Sequence, residues 1–205
     1  MNKLRITKVN NAFGLISNFT YQYGTVSSAN RIVYNDFRFE NTFLLHPQKR
    51  FNPFLRTFEE TNIIRKINFR NEIALGLISR IISKKEHAIN LVLAGVNQQT
   101  NYNFNKFNLA SFYGNDKINT WKGMAGVSGL NSIMKNKLRA EYRLYWMQAF
   151  DKPQNYAYLI DVSFEFILNK HIALQTNYVK TFEYLEPVGV LPYEVQLTYG
   201  LSITF

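Results

Sequence analysis

Cysteine is absent from this chain of 205 residues. That removes a disulfide framework, a thiolate zinc site and a cysteine nucleophile together. Also missing is any run near the ~18 apolar residues that a transmembrane helix needs. The longest apolar runs are short, such as Ile73-Ala74-Leu75-Gly76-Leu77-Ile78 between Arg70 and Arg80. The first residues, Met1-Asn2-Lys3-Leu4-Arg5-Ile6-Thr7-Lys8, lead into no continuous apolar segment, so no secretory leader is legible. Tryptophan is scarce at 2 residues, and helical periodicity is nearly absent. Lysine and arginine exceed the acids, for a formal net charge of +10. They are nonetheless spread along the chain, with no dense cluster beyond Lys84-Lys85. A concentrated nucleic-acid surface is therefore not expected, whereas scattered cations suit a barrel interior or loops facing anionic headgroups.

What the chain has in abundance is tyrosine (13), phenylalanine (17) and alternation of period two. From Tyr193 onward the odd positions read Tyr193, Val195, Leu197, Tyr199, Leu201, Ile203 and Phe205. The even ones read Glu194, Gln196, Thr198, Gly200, Ser202 and Thr204. Leu138, Ala140, Tyr142, Leu144 and Trp146 likewise oppose Arg139, Glu141 and Arg143, and Tyr158 to Leu168 in steps of two oppose Asp161, Ser163 and Glu165. Ile67, Phe69, Ile73, Leu75 and Leu77 are read as one face against Asn68, Arg70, Glu72 and Gly76.

These patterns predict about ten strands, near 11–24, 31–45, 50–61, 66–82, 87–103, 118–132, 137–150, 156–168, 171–184 and 193–205. Short connections are expected near 46–50, 83–86, 133–136 and 169–170, and longer ones near 24–30, 60–65, 102–117, 151–155 and 185–192. The stretch 102–117 also alternates at Phe107, Leu109, Ser111 and Tyr113, which would extend a hairpin. No domain boundary is visible, so 1–205 reads as a single domain, with 1–10 a possible remnant of an upstream strand.

Alternation alone does not say which face is inside. A soluble sheet hides its apolar face, whereas a transmembrane barrel turns it to lipid and keeps its polar face in the lumen. Three features favour the inverted plan. The segments exceed the ~9–11 residues that cross a bilayer when tilted. Aromatics gather near strand ends, as at Tyr156, Tyr158, Phe182, Tyr193 and Phe205. The polar faces carry charges of both signs, giving an expected lumen network of Arg70, Glu72, Arg139, Glu141, Arg143, Asp161 and Glu165. The expected fold class is thus all-β, an antiparallel transmembrane up-and-down barrel. The runner-up is a soluble lipocalin-like binding barrel.

Two resemblances follow from particular residues. The ending Thr198-Tyr199-Gly200-Leu201-Ser202-Ile203-Thr204-Phe205 resembles the C-terminal β-signal of outer-membrane proteins at Thr198, Gly200, Ile203 and Phe205. That resemblance implies insertion by the barrel-assembly machinery of a Gram-negative outer membrane. Asn35-Asp36-Phe37, Asn52-Pro53-Phe54-Leu55 and Arg65-Lys66-Ile67-Asn68-Phe69-Arg70 leading into Ala74-Leu75-Gly76-Leu77 also look like the salt-induced outer-membrane protein family, a domain of unknown function. Phe19-Thr20-Tyr21-Gln22-Tyr23-Gly24 fits as well. Members of that family begin with a signal peptide and more strand before this segment, so the resemblance implies an upstream hairpin and a complete form of about twelve strands.

Chemistry is thinly represented. His46, His87 and His171 fall in or beside short turns and form no metal-binding spacing. Ser111, Ser128, Ser163 and Ser202 lack a neighbouring base. Gly123, Gly126 and Gly129 read as bends or close contacts within a strand rather than a phosphate loop. No cofactor is expected. The expected role is a non-enzymatic envelope component or a narrow charge-lined conduit, with outer-membrane lipid and lipopolysaccharide as surroundings. The alternative is a subunit that binds lipid or another outer-membrane partner, for which the apolar stretch Glu186-Pro187-Val188-Gly189-Val190-Leu191-Pro192 is the candidate surface.

Overall fold

The computed structural model describes residues 2–26, 31–84, 86–112, 114–134, 137–169 and 171–203. Eleven strands form one sheet: β1 Asn2–Val9, β2 Phe13–Val26, β3 Arg31–Leu45, β4 Phe51–Asn62, β5 Ile67–Ser83, β6 His87–Tyr102, β7 Lys117–Ile133, β8 Leu138–Ala149, β9 Tyr156–Ile167, β10 Ile172–Glu183 and β11 Tyr193–Ile203. Each pairs antiparallel with its neighbour in sequence, so the topology is up-and-down from β1 to β11. The fold is all-β, as the alternation requires, and its one helical piece among the described residues is a 3-10 turn at Ala110–Phe112.

The ten expected strands are β2 to β11. The eleventh is β1, drawn from the residues taken for a remnant. It makes a full ladder with β2, from Asn2↔Tyr21 to Val9↔Gly14. Its alternation is short and ends in the outward Lys8, which hid it in the sequence. β1 and β11 run in the same direction, and no ladder joins them among the described residues.

Among the described residues two connections differ from expectation; residues 27–30, 85, 135–136 and 170, in other expected connections, lie outside them. The one near 60–65 is a tight turn at 63–66, in which the Arg65 amide donates to Asn62 Oδ1 at 2.9 Å and Lys66 takes a φ of 56°. The stretch 102–117 does not extend a hairpin. β6 stops at Tyr102, β7 starts at Lys117, and residues 103–112 and 114–116 fold inward on Phe107 and Phe112, which are buried, while Tyr113, read with that alternation, lies outside the described residues.

The sheet is strongly curled. Neighbouring strands sit ~4.8 Å apart, so strands five apart on a flat sheet would lie ~24 Å from each other. Arg143 on β8 instead reaches Glu40 on β3 at 3.7 Å and Arg70 on β5 reaches Glu183 on β10 at 2.5 Å, while Arg38 on β3 reaches Glu194 on β11, eight strands away, at 3.5 Å. The ionic face is therefore the concave one. Along β5, Arg70 and Glu72 are buried while Ile73, Leu75 and Leu77 are exposed. Leu75 is 69% exposed and Arg70 3%. Leu93, Trp121, Leu144, Phe164, Leu174 and Leu201 continue the exposed apolar wall.

Aromatic rings mark the long-loop end of that wall. Trp146 stacks on Tyr156 at 4.9 Å, Tyr156 on Tyr184 at 5.2 Å and Tyr158 on Phe182 at 4.9 Å. Phe205, also expected in an aromatic girdle, lies outside the described residues. Of the glycines singled out in β7, Gly126 and Gly129 are close contacts: the rings of their cross-strand partners Tyr145 and Tyr142 lie where a Cβ would stand.

The interior is not uniformly polar, contrary to the two-face reading. Phe54, Ala74, Val92, Val96 and Met124 point inward and cluster, with Leu44, Ile78, Tyr145 and Met147 packed against them. Ile67, read with the outward row, is also buried inside. The ladder between β5 and β6 shifts register between Ile67 and Phe69, and such a bulge moves the residues beyond it to the opposite face.

Candidate functional site

The candidate site is the lumen and the three connections that close its long-loop end. β4, β5 and β6 present Glu60, Arg70 and Thr100 inward, because residues two apart share a face. β10 ends on Glu183, and the following loop carries Glu186. Arg70 donates to Glu60 Oε1 at 2.9 Å, to Glu183 Oε1 at 2.5 Å and Oε2 at 2.7 Å, and through Nε to Thr100 Oγ1 at 3.1 Å. Arg65, from the 63–66 turn, donates to Glu183 Oε1 at 2.7 Å and through Nε to Glu186 Oε1 at 2.9 Å. Its Nη2 also lies against Glu186 Oε1. Glu186 Oε2 is buried without a partner. A guanidinium fork engages a carboxylate through two parallel bonds, which fixes orientation as well as charge. The pairing of Arg70 with both oxygens of Glu183 therefore fastens β5 to β10 across the lumen.

A second tier sits deeper. Arg56 bridges Glu40 at 2.6 Å and Glu72 at 3.3 Å, and Gln98 donates to Glu72 at 3.1 Å. Arg143 pairs with Asp161 at 2.5 Å, and Asn177 donates to the same carboxylate at 3.0 Å. Lys122 is buried beside these tiers, above the apolar cluster that begins at Met124.

The described residues of 103–116 and residues 184–192 lock together over the mouth. Asn108 N donates to Glu186 O at 3.0 Å, Glu186 N donates to Asn108 Oδ1 at 3.2 Å, and Asn108 Nδ2 donates to Tyr184 O. Phe107 forms a β-bridge with Pro187. Beneath them Ile67, Tyr102, Phe107, Phe112, Ile118 and Leu185 make a small dry core. The stretch read as a partner surface thus divides. Leu185, Glu186 and Pro187 fold into the lid, while Val188 and Leu191 stay exposed, as do Ile63 and Ile64 of the 63–66 turn. Lys66 Nζ donates to Val188 O at 3.2 Å and ties the two loops.

Of the seven charges expected in the lumen, Arg143 and Asp161 pair, as do Arg139 and Glu165 at 3.5 Å near the short-turn end. Arg70 and Glu72 share a strand face but bond to different partners, Arg70 to Glu60 and Glu183, Glu72 to Arg56. Glu141 is exposed and joins no ion pair among the described residues. The larger part of the network went unread: Arg38, Glu40, Arg56, Glu60, Arg65, Lys122, Glu183 and Glu186. Arg56, Glu60 and Lys122 were legible as inward steps of two on their strands, whereas Glu186 and Arg65 lie in connections where no periodicity operates. Thr198 and Gly200 sit on β11 opposite Asn177 and Gln175, and Ile203 opposite Ile172, while Phe205 falls outside the described residues.

Nucleophile chemistry has little to work with. Ser163 accepts from Gln175 at 3.5 Å, and His87 Nδ1 lies 3.0 Å from Asn131 Oδ1 at an exposed turn. Among the described residues no group of His, Asp and Glu is placed to hold a metal ion.

Burial lifts the Glu186 carboxyl to a pKa of about 7. Arg65 pulls the other way, but Glu183 shares that cation and adds to the rise. Burial by itself would lower Arg65, yet the two carboxylates outweigh it and hold the guanidinium charged. A carboxyl that binds its proton more tightly when folded gives stability that is complete below its unfolded pKa of 4.5. That stability is lost as pH rises through about 7. Urea midpoints of the folded protein should therefore fall between these pH values, and Glu186→Gln should flatten the profile. An unchanged profile in the variant would assign the dependence to another group.

Comparison with family models, curated proteins and solved structures finds no match to this chain.

Proposed function

We propose that this chain is an integral outer-membrane β-barrel of a Gram-negative envelope, non-enzymatic and with a closed lumen. The observation that carries the reading is the inversion of the sheet: leucine, isoleucine and aromatic rows face outward, while arginine and glutamate rows are buried and paired within. A water-exposed wall of that composition would be an aggregation surface, whereas acyl chains are its natural solvent. A lipocalin-like soluble barrel requires the reverse placement, with its apolar rows inside. The pattern at Thr198, Gly200, Ile203 and Phe205 supports insertion by the barrel-assembly machinery. The family resemblance in residues 31–77 is part of the same proposal.

A structural envelope role is favoured over a conduit. The long-loop mouth is covered by residues 103–116 and 184–192, the ionic tiers below it are paired, and the β4–β8 side holds a dry apolar cluster. Narrow barrels have interiors that side chains largely fill. Planar-bilayer recording of the refolded protein should be silent, and stable conductance steps would overturn the closed reading. A partner-binding role is the second reading. It rests on Val188 and Leu191, which remain exposed on the lid, and on Ile63 and Ile64, exposed in the 63–66 turn that Lys66 ties to it. Co-isolation of a stoichiometric subunit in mild detergent, lost in Val188→Ser/Leu191→Ser, would favour it.

A further inference from the structure

We infer that the short-turn rim of the barrel is a binding surface for anionic phospholipid headgroups. This rests on the membrane reading above. Lys8 is the penultimate residue of β1, Lys49 and Arg50 lie between β3 and β4, Arg80 stands near the end of β5 and Lys84 just after it, and Lys137 precedes β8. These six cations all belong to one end of the sheet, since up-and-down topology returns every second connection to the same side. Among the described residues none of them joins an ion pair. Three carboxylates share that end: Glu86, Glu141 and Glu165, and Glu165 is taken by Arg139. The sequence adds Lys85, Lys135 and Lys170, which lie outside the described residues.

The contrast with the lumen is the informative part. There, cations and carboxylates are matched and buried, so little field escapes. At the rim, four of the unmatched cations, Lys49, Arg50, Lys84 and Lys137, are carried on exposed turns beside outward apolar residues, while Lys8 and Arg80 lie in the last residues of β1 and β5. Lys49 and Arg50 adjoin Leu45 and Phe51, with the Arg50 guanidinium 5.6 Å from the Phe51 ring. Lys84 follows Ile81, and Lys137 follows Ile133 and Met134, all three of these apolar side chains exposed. An apolar side chain in the acyl layer with a cation a few residues beyond it is the arrangement in which long basic side chains reach headgroup phosphates. Each lysine or arginine near an anionic leaflet adds attraction that salt screens. An acidic soluble protein would need the cations but not the apolar collar beneath them.

The test uses the full chain refolded into nanodiscs of phosphatidylcholine, alone or doped with phosphatidylglycerol, with native mass spectrometry counting the lipids retained. Phosphatidylglycerol should be enriched over its bulk share. Lys49→Gln/Arg50→Gln/Lys84→Gln/Lys137→Gln should remove most of that enrichment. Lys106→Gln/Lys117→Gln, at the opposite end, should leave it intact. Urea midpoints of both variants matching the parent exclude a folding defect. Equal lipid shells for parent and rim variant overturn the inference and leave the membrane reading standing. So does an equal loss in the opposite-end variant. Retention on peptidoglycan without any phosphatidylglycerol preference reassigns the rim and likewise overturns it. A chain that enters neither bilayer overturns the membrane reading and the inference together.

Discussion

Arg70→Met should lower unfolding stability by about 3–5 kcal/mol, the range for removing one partner of a buried ion pair. The size follows from what is left behind. Arg70 is 3% exposed and serves Glu60 and Glu183 together. Without it, two carboxylates remain inside the sheet with Arg65 and Arg38 as their ion-pair partners and Lys122 nearby. Methionine fills much of the same volume, so the loss is electrostatic rather than a cavity. Urea titration in micelles followed by tryptophan fluorescence reads the change. The double variant Arg70→Met/Glu183→Met should recover part of the loss, because replacing both members of a buried pair is far cheaper than orphaning one. Equal costs for the single and the double variant would mean that the pair is not coupled. The same substitution should loosen the lid, because Glu183 also holds Arg65, which in turn holds Glu186.

Leu93→Arg tests the solvent of the outer wall. Leu93 is 63% exposed and pairs with Leu77 across β5 and β6, with Leu91 below and Gly95 above on its own face. On a water-facing sheet, replacing so exposed a leucine would change stability by no more than about 0.5 kcal/mol. On a lipid-facing wall near the bilayer midplane, an arginine costs ~2–4 kcal/mol. The two expectations differ by several fold, so one pair of urea titrations in lipid vesicles separates them. Leu191→Arg is the matched control: it is 65% exposed but sits in the 184–192 loop, where the change should be small. A neutral Leu93→Arg would remove the membrane assignment, whatever the strands look like.

Strand existence and face assignment were legible in the chain because period two is a local property. Tyr193 to Leu201 alternate outward and inward as their spacing requires, and Leu138 to Trp146 oppose Arg139, Glu141 and Arg143 along β8. Local alternation also pointed to Tyr156, Tyr158 and Phe182, which stack at one end of the wall. Where spacing misled, a particular event intervened. The register shift after Ile67 turned that residue inward. The run Leu91-Val92-Leu93-Ala94-Gly95-Val96 is apolar on both faces, so its inward half looked the same as its outward half. Alternation from Phe107 to Ser111 met no partner strand beyond the single bridge of Phe107 to Pro187, and the segment became part of a lid instead.

The sequence by itself determined that this chain is all-β, that its strands are long, and that each has an ionic and an apolar face. Those are consequences of side-chain order along an extended backbone. Only the tertiary structure decided which charges meet. Arg70 finds Glu183, 113 positions away, and Arg65 finds Glu186, 121 positions away, because the curl brings β5 opposite β10. The same curl buries the ionic face, a fact that no single strand contains, since alternation is identical whether a sheet bends toward one side or the other.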